Sequence, residues 1–388
     1  MGERIDRRSF LTRSAAVGAG LAAAGSSGGL LSACGSSSSS PGSSTAARAN
    51  GVSTGTPRTG GKVVFGTEAE EKGFSPTLGT FDTTGILYAR TVFDPLAIVA
   101  ADGKTVKPYL AESITPNADY TVWTVTMRQN VVFHNGTPCD GAALAANFEA
   151  QKTSILTGPA LATIDTINQS GPLSVEVHMK SPWVPFDYFL AGGIGGQIAF
   201  VAEPNWLASK SQTDPVGTGP FVFQDWTPND HFTATRNPHY WRPNLPYLDS
   251  ITYKPIPDAQ QLLNSLMTGQ VDIIHTSNAQ VTGQLKSDSS LSFVDDATHS
   301  AGEPDMGCLL LNLSKAPFSD LRVRQAAAMA VSSQEYVKVI DAGGVNPPSN
   351  SPFTPSSPYY TTTSYPKPDP AKAKQLVQEV RQSTGQPV

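Results

Sequence analysis

The stretch Gln260-Gln261-Leu262-Leu263-Asn264-Ser265-Leu266-Met267-Thr268-Gly269-Gln270-Val271-Asp272-Ile273-Ile274-His275 changes character part-way along. Leu262, Leu263, Leu266 and Met267 recur at helical spacing and form one stripe, and Gly269 follows as a C-terminal cap. Val271 to His275 then reads as a strand that follows at once. A helix delivered straight into a strand argues for an α/β fold rather than an all-β sandwich. The alternation extends outward from there. Lys62 to Thr67 is expected as the first strand. Trp123, Val125 and Met127 share one face of Thr121–Met127, and Leu173, Val175, Val177 and Met179 alternate in the same way, so both runs are expected as half-buried strands. Ser319-Asp320 before Leu321–Val331 and Asp369-Pro370 before Ala371–Val380 supply caps for two helices, the second with proline at its first position. Asn346 to Pro370, rich in Pro, Ser, Thr and Tyr, is expected as an extended, packed surface excursion between them.

Composition removes several classes of function. The 388 residues suffice for two or three ordinary domains, and 34 glycines with 31 prolines predict many turns. With 27 basic and 32 acidic residues, net charge −5, the chain lacks the cationic excess that phosphate neutralisation requires, so no nucleic acid is expected as a partner. No run of twenty apolar residues occurs, which leaves no transmembrane helix in the sequence. Three cysteines cannot make a disulfide framework.

The N-terminus reads as an address and a tether. Arg7-Arg8-Ser9-Phe10-Leu11, followed by the weakly apolar Ala15–Gly25, reads as a twin-arginine export signal; a short amphipathic helix is the weaker reading, because Ala15–Gly25 has no polar face. Leu31-Ser32-Ala33-Cys34-Gly35 resembles a lipobox, which makes residues 1–33 a removable signal and Cys34 the site of lipid attachment. Gly35 to Gly60 consists of Gly, Ser, Pro, Thr, Ala and Asn apart from Arg48, Val52 and Arg58. Such a segment buries too little apolar surface to offset the entropy of ordering it. Residues 34–60 are therefore expected as a flexible tether reaching about 25–30 Å.

A search for catalytic chemistry finds no constellation. Gly217-Thr218-Gly219-Pro220 lacks the third glycine of a dinucleotide fingerprint, and neither a phosphate-binding loop nor a G-x-S-x-G elbow occurs. His134, His178, His231, His239, His275 and His299 are dispersed without metal-ligand spacing. Glu68, Glu70 and Glu71 crowd the end of the first strand, where a solvated turn is the ordinary reading and ligand contact the sharper one. Cys139 and Cys308 are either two thiols or one disulfide. No enzyme activity, cofactor or metal is expected.

Seven ordered motifs carry a family resemblance. They begin with Pro108-Tyr109-Leu110-Ala111-Glu112-Ser113, Trp123-Thr124-Val125 and Val132-Phe133-His134-Asn135-Gly136-Thr137-Pro138. Pro215-Val216-Gly217-Thr218-Gly219-Pro220-Phe221, Arg236-Asn237-Pro238-His239-Tyr240-Trp241 and Gly269-Gln270-Val271-Asp272-Ile273 follow, and Leu311-Asn312-Leu313 with Pro317 to Ala326 comes last. In order and spacing, from about Gly60 to the end, they resemble the family 5 extracellular solute-binding proteins, the peptide, oligopeptide and nickel receptors of ABC transporters.

The resemblance implies an α/β, periplasmic-binding-protein type II-like fold, with two lobes, a hinge and an inserted subdomain. By analogy, residues 61–86 and 214–301 form lobe I, 87–213 the insert, and 302–388 a partial lobe II. Members of the family run further than Val388, so lobe II is expected incomplete, with many peptide-end-reading groups missing. The implied function is capture of a peptide or similar small polar solute by a monomer, held by a lipid anchor on the extracytoplasmic face of the membrane. Delivery is then to an ABC permease and its ATPase. A secreted lipoprotein hydrolase and a sensor built on the same fold are the alternatives. Open α/β sheets place ligands at strand ends, so Glu68, Phe74, His275 and Asn312 are the expected ligand contacts. Trp226 is an alternative aromatic wall, though a core position suits it better. Gly217 and Gly219 are expected to form a tight structural corner, Arg236–Trp241 to pack, and Arg322 and Arg324 to pair with acids or face solvent.

Overall fold

The computed structural model describes residues 56–100, 102, 105–191, 196–294, 309–340, 351 and 360–385. The export signal, Cys34, most of the tether, His299, Cys308 and most of the Asn346–Pro370 excursion lie outside them. Along the chain the elements run β1 (Lys62–Thr67), α1 (Thr83–Val92), β2 (Ala97–Val99), β3 (Val106–Pro108), β4 (Ala111–Pro116), β5 (Val122–Met127), α2 (Gly141–Thr153), β6 (Ile164–Gln169), β7 (Ser174–Met179), α3 (Phe186–Phe189) and α4 (Pro204–Ala208). They continue with β8 (Phe221–Thr227), β9 (His231–Arg236), β10 (Ser250–Pro255), α5 (Ala259–Met267), β11 (Ile273–Ile274), α6 (Ala279–Ser287), α7 (Leu321–Ala330), α8 (Ser333–Ile340) and α9 (Pro370–Thr384).

Five strands form a mixed sheet in the order β11-β1-β10-β9-β8. β1 is parallel to both its neighbours, β10 and β11, whereas β10, β9 and β8 are antiparallel in sequence. The stretch that decides the fold is thus a crossover: β10 feeds α5, and α5 feeds β11 on the other side of β1. Asp258 starts α5 by accepting the Gln261 N–H at 2.8 Å. Gly269 ends it at φ +73°, a left-handed conformation that costs glycine little. Leu262 and Leu263 are buried and Leu266 is half-buried, as the stripe requires. Met267 departs from the expected stripe at 52% exposure, because it is the last helical residue before the chain turns away.

A second sheet, β4-β5-β7-β6, is antiparallel throughout. Its alternation follows the sequence pattern: Trp123, Val125, Met127, Val175, Val177 and Met179 are buried, and they pack with Leu144 and Phe148 of α2. Each such side chain contributes roughly 1.5–3 kcal/mol when fully removed from water. Strands β2 and β3 make a separate ribbon. The mixed sheet has its own aromatic core of Phe74, Tyr88, Phe93, Phe232 and Tyr253, in which Tyr88 and Tyr253 stack at 4.4 Å.

Remote motifs fasten these parts together. His134 donates its backbone N–H to Gly217 O at 2.9 Å and its Nε2–H to Gly219 O at 3.0 Å, and burial pushes the imidazole down to about 4, so it stays neutral. Gly217 and Gly219 lie against the Val92 backbone, where any Cβ would collide; this is the expected corner, and its glycines are required by close approach. Tyr240 and Trp241 pack as expected, each with a hydrogen bond to the buried carboxylate of Asp94.

Towards the C-terminus, α7 and α9 meet through Ala326, Ala373 and Leu376. Asp320 caps α7 through Arg322 N and also holds the Arg322 guanidinium at 2.7 Å, the acid pairing anticipated for that arginine. Arg324 instead donates to the carbonyls of Phe318 and Ser319. Among the described residues no helix is long and apolar enough to cross a membrane. Cys139 is a free, buried thiol.

Candidate functional site

The site forms at the carboxyl ends of β1 and β11, where the chain leaves β1 as a loop (residues 68–82) and re-enters a helix at α1. Thr67 turns the loop by donating its hydroxyl to Ala69 O at 2.9 Å. Asp82 receives the loop at α1 by accepting the Gly85 N–H at 2.8 Å.

The three acids of this loop have three different environments. Glu68 Oε2 accepts the Ser277 N–H at 2.8 Å, which ties the end of β1 to the segment after β11. Its Oε1 lies 3.6 Å from His275 Nδ1, an atom that is buried and makes no hydrogen bond among the described residues. Glu70 Oε1 accepts from Trp226 Nε1 at 3.1 Å and from Asn229 N at 2.7 Å. Glu71 is only 4% exposed, so the solvated turn expected for these acids does not hold here. Its Oε1 accepts the N–H groups of Lys72 at 2.9 Å and Gly73 at 3.3 Å. Its Oε2 faces Gly85 at the first turn of α1, with no donor among the described residues. Burial, aided by the nearby Asp82 charge, pushes this carboxyl up to about 7, and the backbone donors and Lys72 pull against it.

Gln197 holds the outer part of the loop against the segment preceding α4. Its Nε2 donates to Pro76 O at 2.8 Å and Gly79 O at 3.0 Å, and its Oε1 accepts from Phe81 N at 3.3 Å. Ser154, at the end of α2, donates to Thr77 O at 2.7 Å. Between these attachments lies a cavity of about 680 Å³, lined by Glu70, Glu71, Phe81 and Asp82 on the loop side and by Thr157 and Gln197 opposite. That is ample for a molecule the size of a short peptide.

The expected contacts are distributed unevenly over this geometry. Glu68 and His275 are brought together beside the loop. Phe74 is 1% exposed and sits within 5.1 Å of both Trp226 and Phe232, centroid to centroid, so its ring supports the loop from the core instead of facing a solute. Trp226 is half-buried and belongs to the same aromatic group. Asn312 is exposed and, among the described residues, bonds within its own turn, accepting from the backbone and hydroxyl of Ser314. Gln197, Phe81 and Asp82, which shape the cavity, carry no local sequence signal; Glu71 carries one only as a member of an acidic trio. Among the described residues no three His, Cys, Asp or Glu side chains gather in a way that could hold a metal ion.

Comparison with solved structures fixes the class. The PBP AgaA from A. tumefacien R10, in complex with agropinic acid, superposes with a TM-score of 0.67 at 24% identity, covering 82% of this chain and 64% of that one. The oligopeptide-binding protein AppA from Bacillus subtilis, in complex with a nonapeptide, gives 0.66 at 22% identity, covering 84% and 65%. The chain therefore has the fold of the type II periplasmic binding proteins. Residues 105–386 match the bacterial extracellular solute-binding proteins, family 5 (Middle), and the chain belongs to that family. The nickel-binding periplasmic protein of Escherichia coli (strain K12) is 30% identical in an alignment 319 positions long that covers 76% of this chain and 59% of the relative. The glutathione-binding protein GsiB of Salmonella paratyphi A is 29% identical over 302 residues, 77% and 57%. The chain thus spans under two thirds of the length of these relatives.

Proposed function

We propose that this protein captures a small polar solute, a peptide or a molecule of similar size, in the cavity beside β1 and presents it unaltered to an ABC importer permease driven by its ATPase. The observation that carries the proposal is the cavity itself: it is walled by the loop that leaves β1, has a buried carboxylate in that wall, and occurs in a chain of the solute-binding family. Residues 61–86 with 214–301 act as one lobe, 87–213 as an inserted subdomain and 302–388 as part of a second lobe. The separate apolar core of the antiparallel sheet supports an inserted unit, whereas Tyr88, Phe93, Phe200 and Leu207 of the 87–213 stretch pack into the core of the mixed sheet. Glu68 and His275, outside the cavity lining at the base of its loop, are the proposed outer contacts of the solute, with Asn312 approaching from the second lobe. Export follows the twin-arginine signal, and lipid on Cys34 keeps the monomer at the extracytoplasmic face of the membrane.

Native mass spectrometry of the full chain against mixed peptides, sugars and metal chelates tests the binding step. Retention of a solute with unchanged mass is expected; failure to capture any of the three classes overturns the proposal. Detergent-phase partitioning tests the anchor, since Cys34→Ala is expected to move the exported protein into the aqueous phase.

A further inference from the structure

We propose that the chain carries a second binding site, for a carboxylate on an apolar body, in the cavity between strands β3 to β5 and the turn that follows β9. This cavity holds about 1040 Å³ and shares no lining residue with the cavity beside β1. Its wall is built around two arginines and two aromatic rings. The Arg128 guanidinium lies 5.2 Å from the centre of the Trp241 ring, and the Arg242 guanidinium lies 5.2 Å from the centre of the Tyr109 ring. The two rings meet edge to face at 5.3 Å. Residues far apart in the chain are thus gathered into one stack that holds both cations at the same cavity.

Hydrogen bonds fix these guanidinium groups without using them up. Arg128 donates from Nε to the Tyr109 carbonyl at 2.7 Å and from Nη1 to Glu112 Oε2 at 2.5 Å. Arg242 donates from Nη1 to the Tyr109 hydroxyl at 2.9 Å. That hydroxyl lies 3.1 Å from the Tyr240 hydroxyl, which itself donates to Asp94, so Tyr109 donates onward and keeps a lone pair for Arg242. Nη2 of Arg128, and Nε and Nη2 of Arg242, have no acceptor among the described residues. A guanidinium presents its donors as a planar fork that a carboxylate matches with two parallel bonds, and Nε with Nη2 of Arg242 is such a pair.

Charge and lining select an organic anion. Arg128, Arg242 and Glu112 are the charged residues of the wall, two cations against one acid. The Glu112 side chain is 60% exposed, so its ion pair with Arg128 is weak and gives way to a better-placed carboxylate. Asp94 also attracts Arg242, but it is buried and already accepts from Trp241, Tyr240 and Thr218. Met127, Val131, Leu173 and Leu245 supply apolar surface beside the cations, which favours a carboxylate with a hydrocarbon body over a bare inorganic ion. The cavity beside β1 has Glu70, Glu71 and Asp82 against Lys72 alone, so the two cavities sort ligands by charge.

This site does not depend on the solute reading, and the tryptophans keep the two apart experimentally. Trp241 lines this cavity, whereas the Trp226 indole bonds Glu70 in the wall of the other. The full chain, isotope-labelled, is titrated with isophthalate and its neutral analogue isophthalamide, and with an end-blocked tetrapeptide carrying two glutamates and its glutamine counterpart, while the indole N–H resonances are followed. Isophthalate or the glutamate peptide is expected to shift the Trp241 signal saturably and to leave Trp226 in place; the tighter of the two identifies a free small acid or an acidic chain as the source. About tenfold weaker binding is expected for Arg242→Met, severalfold tighter binding for Glu112→Gln, and no change for Lys254→Met, an exposed charge control. Equal responses to charged and neutral members, a Trp241 signal that moves with neither acid, or anion binding unaltered by Arg242→Met overturns the proposal. Should Arg242→Met fail to fold, Glu112→Gln decides, because a stack with a purely structural role gains no anion affinity from it.

Discussion

Asp94 accepts the indole N–H of Trp241 at 2.8 Å, joining points 147 residues apart in the chain. Tyr240 and Thr218 hydroxyls donate to the same carboxylate at 3.0 Å each. Burial outweighs these donors and pushes the carboxyl up to about 6. Because this folded-state value lies above the ordinary one of 3.8, the stabilising contribution is complete below about pH 4 and is lost as pH rises through 6. Asp94→Asn removes the linkage. The variant is therefore expected to gain on the unsubstituted protein by about 3 kcal/mol between pH 4 and 7. Urea unfolding across that interval checks it, and a difference that does not change with pH would rule the assignment out.

Gly219→Ala addresses the clasp between the two motifs. An added methyl would meet the Val92 backbone, which cannot swing aside as a flexible side chain could. A loss of about 1–3 kcal/mol is expected, the usual cost of overpacking. The effect should appear in thermal unfolding, and a variant as stable as its parent would show that the corner has slack.

How much of the fold and site is legible in the sequence depends on whether the information is local. Lys62–Thr67 is the first strand with the limits its composition suggests, and Trp123, Val125 and Met127 are buried because strand alternation is a two-residue property. The caps of α7 and α9 are equally legible, since each lies next to the helix it serves. The site is not legible in the same way. Glu68 meets Ser277 across 209 residues, and Gln197 meets Pro76 across 121. No periodicity encodes such pairs. The trio Glu68, Glu70 and Glu71 reads as one solvated turn because adjacent acids usually are; folding separates them into a strand-end tie, an indole partner and a buried wall group. Nearness to a strand end suggests a contact role for Phe74, but its ring turns into the aromatic core.

Phe74 and Glu68 should consequently fail in different ways. Phe74→Ala opens a void among Tyr88, Trp226 and Phe232 and is expected to cost about 3–5 kcal/mol. Glu68→Gln keeps an acceptor for Ser277 and is expected to change stability by less than about 1 kcal/mol. Solute affinity, measured well below the melting point of each variant, should fall for Glu68→Gln. If the two changes destabilise equally, the division between support and contact is wrong.

Gln197 carries the last prediction, because one side chain makes three hydrogen bonds to the loop that walls the cavity. The Gln197 backbone carbonyl is in turn held by Gln151 Nε2 at 3.0 Å, so the backbone that carries this side chain is fixed from behind by a buried residue of α2. Gln197→Ala leaves the Pro76 and Gly79 carbonyls and the Phe81 N–H without this partner, at a cost of about 1–3 kcal/mol. The loss is local, and it should be concentrated in residues 76–81 instead of spread through the two sheets. Hydrogen exchange is the suitable measurement: faster exchange confined to that loop, with several-fold weaker solute binding, is expected, whereas unaltered protection there would mean that Ser154 and the loop's own turns hold the wall without Gln197.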